Sequence, residues 1–234
     1  MTAIFAMCLK DGAFIAADSL VRLPDGSTRD IQDTPEFSNS KITKVSEQLV
    51  LTSSGAVDTD FRLIESLKTN SPFDTVDEIG SEISKLTRRD HQRSLGDEEN
   101  QQYDREQLDF LVQFGGIDPA SGTGFVGNVV TRKTQNRDPY EPFISKEPGW
   151  RLAAGTNHDL ITTVSDQVAS NIKRQQGHIA PDRWASTSIS EISKQSDNVS
   201  LPAHLVSITQ SNGYYFDEYD TPQQKRNTPF DVTI

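Results

Sequence analysis

Apolar and polar positions change their period in blocks along this chain. Residues 2–9 and 13–18 are short, nearly continuous apolar runs separated by Lys10-Asp11-Gly12. Asp-Gly between two apolar runs predicts a β-hairpin. Strands apolar on both faces are predicted to be covered on both sides. Residues 21–40 are polar, carry Pro24, Gly26 and Pro35, and read as a long surface excursion. Residues 41–55 read as two further strands closed by the small-residue turn Ser53-Ser54-Gly55.

The period then becomes helical. Val57, Phe61, Ile64 and Leu67 define one helix. After the proline break at 70–75, Val76, Ile79, Ile83 and Leu86 define a second helix beginning at Thr75. The polar stretch 93–106 reads as a mobile loop, and 108–118 and 122–130 as a strand pair. Residues 133–150, with Pro139, Pro142 and Pro148, form another polar connection. A strand from Trp150 leads into a third helix, capped by Asn157 or Thr156, with Ile161, Val164, Val168 and Ile172 on its apolar face. Pro181 sits in the first turn of a fourth helix. The chain then forms a hairpin around Asn212-Gly213, and from Thr221 it reads as a tail.

Strands, two helices, strands, two helices, strands is the order of an α+β protein. Two stacked sheets with a helix pair outside each give a four-layer αββα sandwich. It is expected to form a single domain over residues 1–220, with residues 221–234 as a C-terminal tail.

Charge and composition narrow the function. The net charge is −11, without a long Lys or Arg run, which disfavours nucleic acid and anionic membrane as partners. Asp104, Asp109 and Asp118 read as part of a solvated acidic surface. One cysteine, Cys8, permits no intramolecular disulfide and reads as a small core residue. His91, His158, His178 and His204 are scattered, so no metal site or cofactor is expected. The N-terminal apolar stretch lacks a basic flank and is broken at Lys10-Asp11-Gly12, unlike a signal peptide. No run approaches the ~20 apolar residues of a membrane helix. A soluble, cytoplasmic protein is expected.

The candidate chemistry lies at Thr2. A hydroxyl is a weak nucleophile unless a base stands beside it. A free α-amine, with an ordinary pKa of ~7.7–8.0, is such a base. Removal of Met1 would make Thr2 nucleophile and base in one residue.

The spacing of "KDGAFIAADS", "KITKV" and "SSGAVDT" resembles the proteasome β-subunit family of N-terminal-nucleophile (Ntn) hydrolases, which includes bacterial two-tier proteases and ancestral β-subunits. That family places an Asp sixteen residues after its nucleophilic Thr, as Asp18 follows Thr2. A strand-opening Lys follows, here Lys41, about seven residues later than usual because of the 21–40 excursion. Lys41 to Gly55 is again the family interval, which implies that the Gly55 N–H stabilises an oxyanion. "FLVQFGGID" is similar to another family strand, and "AAGTN" occupies a turn that puts Thr156 where a serine is usual. Ser196 matches the family pattern, whereas Ser193 stands where an Asp is usual. The lost carboxylate weakens support for the terminal amine, unless Asp197 or Glu191 replaces it. Ser53 falls at the floor of the main specificity pocket, where a small side chain leaves room for large apolar groups. These matches span residues 2–69 and 108–216.

In physical terms, an ammonium at Lys41 lowers the proton affinity of a neighbouring hydroxyl. Asp18 holds that ammonium by a charge-assisted hydrogen bond. The resemblance implies a threonine-type peptidase acting on peptides or unfolded proteins, assembled as a homo-oligomeric ring or spiral. Some family members work with an ATP-dependent unfoldase. The alternatives are a catalytically silent ring subunit, which the Ser193 departure favours, and a hydrolase of small amides.

Overall fold

The computed structural model describes residues 2–22, 28–30, 41–55, 57–104, 108–155, 157–197 and 199–219. The opening hairpin forms as its apolar runs predict. Strands β1 (Ala3–Leu9) and β2 (Gly12–Asp18) pair antiparallel, and all seven residues of each are buried. They make the centre of a five-stranded sheet with β10 (Arg151–Gly155), β11 (Ala203–Thr209) and β12 (Gly213–Tyr219), in the order β10-β1-β2-β11-β12.

The second sheet has the order β5-β6-β7-β8-β9. Its strands are β5 (Ile42–Lys44), β6 (Leu49–Ser54), β7 (Leu111–Ile117), β8 (Gly124–Val130) and β9 (Phe143–Ser145). All pairings in both sheets are antiparallel. A separate ribbon, β3 (Leu20–Arg22) with β4 (Thr28–Asp30), falls largely within the stretch 21–40 read as a surface excursion.

Three apolar layers hold the sandwich together. Helices α3 (His158–Gln176) and α4 (Pro181–Ser193) lay Ile161, Val164, Val168, Trp184 and Ile189 onto Phe5, Phe14 and Leu205 of the first sheet. Helices α1 (Val57–Asn70) and α2 (Val76–Gly96) lay Leu63, Leu67, Ile79 and Ile83 onto Leu51, Phe114 and Phe125 of the second. Ile4, Ala6, Cys8, Ile15, Val50 and Val126 fill the space between the sheets. Fully burying one such side chain stabilises by about 1.5–3 kcal/mol, so hairpin residues that pack on both faces are the most costly to alter. The architecture is thus the expected α+β, four-layer αββα sandwich.

Caps and breaks fall where local chemistry places them. Thr75 accepts the Glu78 N–H to cap α2, and Asn157, rather than Thr156, accepts the Leu160 N–H to cap α3. Gly177 ends α3 in a left-handed conformation, the usual terminator of a helix. Several expectations need correction. Helix α2 runs to Gly96 and a 3₁₀ turn follows at Glu98–Asn100, so much of 93–106 is ordered. Within the 133–150 connection, β9 adds an edge strand, too short to show a period in sequence. On α1, Leu67 is buried and Ile64 partly buried as expected, with Leu63 joining them in the core, while the side chains of Val57 and Phe61 lie outside the described residues. Asp118 is not a solvated acid, because its side chain is buried against Lys146 at 2.8 Å. Asp109 is partly covered and bonded to Thr131. Residues 221–234, the expected tail, lie outside the described residues.

Candidate active site

Neighbouring strand ends of the first sheet bring the first groups together. Thr2 precedes β1, whose Ala3 is in register with Gly155 of β10. A Cβ on Gly155 would fall 1.8 Å from the Thr2 carbonyl oxygen, and its φ is +153°. Only glycine lets β10 approach the start of the chain this closely. Asp18 closes β2, and its register with Ala203 sets it beside β11.

The Asp18 carboxylate is fully buried and takes three donors. Its Oδ1 accepts the Ala3 N–H at 2.8 Å and the Lys41 ammonium at 3.2 Å, and Oδ2 accepts the Leu20 N–H at 3.1 Å. Burial pushes its pKa up from the ordinary carboxylate value, and the Lys41 ammonium and these backbone N–H groups oppose that rise. Lys41, just ahead of β5, is 7% exposed at its side chain and also donates to Thr2 Oγ1 at 3.4 Å. Thr2, Lys41 and Asp18 therefore form one connected cluster, drawn from both sheets. A cation at this distance favours the deprotonated form of a hydroxyl. The buried carboxylate fixes where that cation points.

Gly55 ends β6, one residue beyond the last register pair, Ser54 with Leu111. Its φ is +130°, and a Cβ there would meet Phe110 Cβ at 2.4 Å and the Asp109 carbonyl oxygen at 2.6 Å. Both the dihedral and the close approach demand glycine. Ser53 lies on β6 opposite Val112 and is partly buried.

The remaining expected groups are less coherent. Thr156 lies outside the described residues. Ser193 is in the last turn of α4, where its hydroxyl donates to the Ser190 carbonyl at 2.9 Å. Ser196 is partly buried in the segment after α4, and its carbonyl accepts the Val199 N–H. Of the two substitute acids, Glu191 pairs with Lys194 at 2.6 Å and Asp197 is exposed. One connection was missed in the sequence. The hydroxyl of buried Ser19 lies 3.0 Å from that of Ser200, tying the end of β2 to the segment that carries Ser196. The only hint was that Ser19 follows Asp18 directly. Among the described residues, no group of His, Cys, Asp and Glu could hold a metal ion, and no helix is long and apolar enough to cross a membrane.

No family model matches the sequence, and no curated protein matches it. The four-layer αββα fold is shared with solved structures. One solved structure that shares it is the (Gly-1) mutant of Anbu from Hyphomicrobium sp. strain MC1. It superposes with a TM-score of 0.66 at 12% sequence identity, covering 93% of this chain and 87% of that one. At that identity the likeness is one of fold.

Proposed function

We propose that this protein is a threonine-type Ntn peptidase with Thr2 as its nucleophile once Met1 has been removed. The observation that carries the reading is the position of the Lys41 ammonium, 3.4 Å from Thr2 Oγ1 and 3.2 Å from buried Asp18. A sandwich held together by apolar layers has no need of a buried ion pair beside its first strand. Burying such a pair costs several kcal/mol of desolvation per ion before attraction is counted.

In the proposed reaction Thr2 Oγ attacks the substrate carbonyl and its proton passes to the Thr2 α-amine. The Oγ–C bond forms, and the developing oxyanion is held by the Gly55 N–H. Collapse breaks the C–N bond, and the amine returns the proton to the departing nitrogen. Water, deprotonated by the same amine, then hydrolyses the ester and frees Thr2. Lys41 lowers the proton affinity of the hydroxyl, and Asp18 orients Lys41. Ser53 would line the pocket for the residue before the scissile bond. Thr156, Ser193 and Ser196 would support the terminal amine, with hydroxyls in place of a carboxylate at 193.

We take the substrates to be peptides or unfolded proteins in the cytoplasm. The active form would be a homo-oligomeric ring or spiral, served by an ATP-dependent unfoldase. A catalytically silent ring subunit is the second reading. The Ser193 hydroxyl favours it, because it is neutral and bonded within its own helix.

Intact mass separates the two readings. Protein purified from its own host is expected to lack Met1 and to gain one inhibitor mass from a peptide β-lactone, with no gain in Thr2→Ala. Retained Met1, or equal labelling of Thr2→Ala, would refute the nucleophile assignment.

A further inference from the structure

We infer that His91 and Asp109 are positioning residues for the Gly55 N–H. This rests on the proposed role of Gly55 and adds a part of the site that no motif indicated. The backbone of Asp109 and Phe110 lies directly against Gly55, closely enough that no side chain fits between them. Whatever fixes residues 109 and 110 therefore fixes the wall on which Gly55 rests.

Several bonds hold that wall. Thr131 Oγ1 accepts the Phe110 N–H at 3.0 Å and donates to Asp109 Oδ1 at 2.9 Å, while the Thr131 N–H donates to the Phe110 carbonyl at 3.1 Å. The same Asp109 oxygen lies 3.5 Å from Nε2 of His91, a buried residue of α2. The imidazole also stands edge-on to the Phe110 ring, with centroids 5.8 Å apart.

His91 is itself fixed from behind. Its Nδ1 lies 2.8 Å from the Tyr140 hydroxyl. Tyr140 adopts φ +66°, donates its N–H to the Val130 carbonyl and accepts Ser84 Oγ at its own carbonyl. The Arg88 guanidinium lies 5.0 Å from the centroid of the Tyr140 ring. A non-glycine residue at positive φ is uncommon and persists where its surroundings enforce it. Burial lowers the His91 pKa, with Asp109 opposing, so the ring is neutral near pH 7. Nδ1 then accepts the Tyr140 hydroxyl, leaving the proton on Nε2, which faces Asp109 Oδ1 across 3.5 Å, too far for a well-formed hydrogen bond. A row of fixed groups thus runs from α2 to the residues that pack against the proposed oxyanion donor.

The test compares two probes of Thr2 in the Met1-free protein and its Asp109→Asn and His91→Phe variants. A peptide β-lactone acylates Thr2 Oγ through a tetrahedral oxyanion. Its ring C–O bond breaks, and the hydroxyl proton ends on the released ring oxygen. A peptide vinyl sulfone instead adds Oγ across its C=C bond, with the proton ending on carbon, and forms no carbonyl oxyanion. Displacing an oxyanion donor is expected to slow β-lactone labelling about tenfold or more and vinyl sulfone labelling less than about twofold. The ratio of the two rates cancels any difference in folded fraction. If both probes label the wild type and the variants slow neither, or slow both equally, this inference is overturned while the hydrolase reading stands. A wild type labelled by neither probe overturns both.

Discussion

Asp18→Asn is the substitution whose cost the structure sets most directly. The carboxylate is wholly buried, and the ammonium it faces is 7% exposed. Removing the charge leaves Lys41 facing an amide, with little water to replace the lost partner. Breaking a buried pair from one side costs about 3–5 kcal/mol. Asparagine also has one acceptor oxygen where Asp18 uses two, so the Ala3 N–H or the Leu20 N–H would meet an NH₂ group. Net destabilisation of about 3–5 kcal/mol is expected, and for a chain of this size about 6–20 °C in the unfolding midpoint. Lys41→Met in the Asp18→Asn background removes the stranded ammonium, so the double variant should be more stable than the sum of the single losses predicts. Urea unfolding of the four proteins, monitored by circular dichroism, measures the coupling. A loss below about 1 kcal/mol in Asp18→Asn would put the pair in the range of exposed ion pairs. Additivity in the cycle would show that the pair is not coupled. Either result would refute the claim that this pair is a buried, mutually dependent unit.

Two further predictions concern groups away from the site. Burial alone would push the Asp118 carboxyl up, yet the Lys146 ammonium, the Ser121 hydroxyl and the Ala120 N–H hold it below the usual carboxylate value. A carboxyl with a depressed folded pKa contributes stability above its unfolded value of ~4 and loses it as pH falls through the folded value. Lys146→Met should therefore flatten the loss of stability below about pH 4, as read from urea midpoints across that range. An unchanged slope would count against the assignment. Burial, followed by Glu147, pushes the Cys8 thiol up to about 12. The native protein should therefore resist iodoacetamide at pH 8 and the unfolded chain should react, as intact mass will show.

Much of the fold was legible because its elements have strong local signals. The hairpin of β1 and β2 announces itself through two apolar runs around Asp-Gly. The apolar stripes of α2 and α3 are the residues the structure buries. Strand β9 escaped because three residues at a sheet edge carry no period. The end of α2 escaped because its last five residues, Gln92 to Gly96, include none that is buried, and there hydrophobic spacing says nothing. Asp118 was misread because charge in a sequence does not reveal a partner twenty-eight residues away.

By itself, the sequence determined the layers: which segments are strands or helices, and which faces must leave water. It also put Thr2, Asp18, Lys41 and Gly55 at suggestive intervals along one line. Tertiary structure decided which of those intervals become contacts. Lys41 reaches Asp18 and Thr2 because the two sheets stack with their strand ends adjacent, a relation no local pattern encodes. Ser193 points into its own helix because a free hydroxyl in a last helical turn finds a carbonyl one turn back. His91 meets Asp109 on one side and Tyr140 on the other, although the three come from a helix and two separate loops. Hydrophobic period is a property of neighbours in sequence, whereas a site depends on side chains brought together by packing of distant segments.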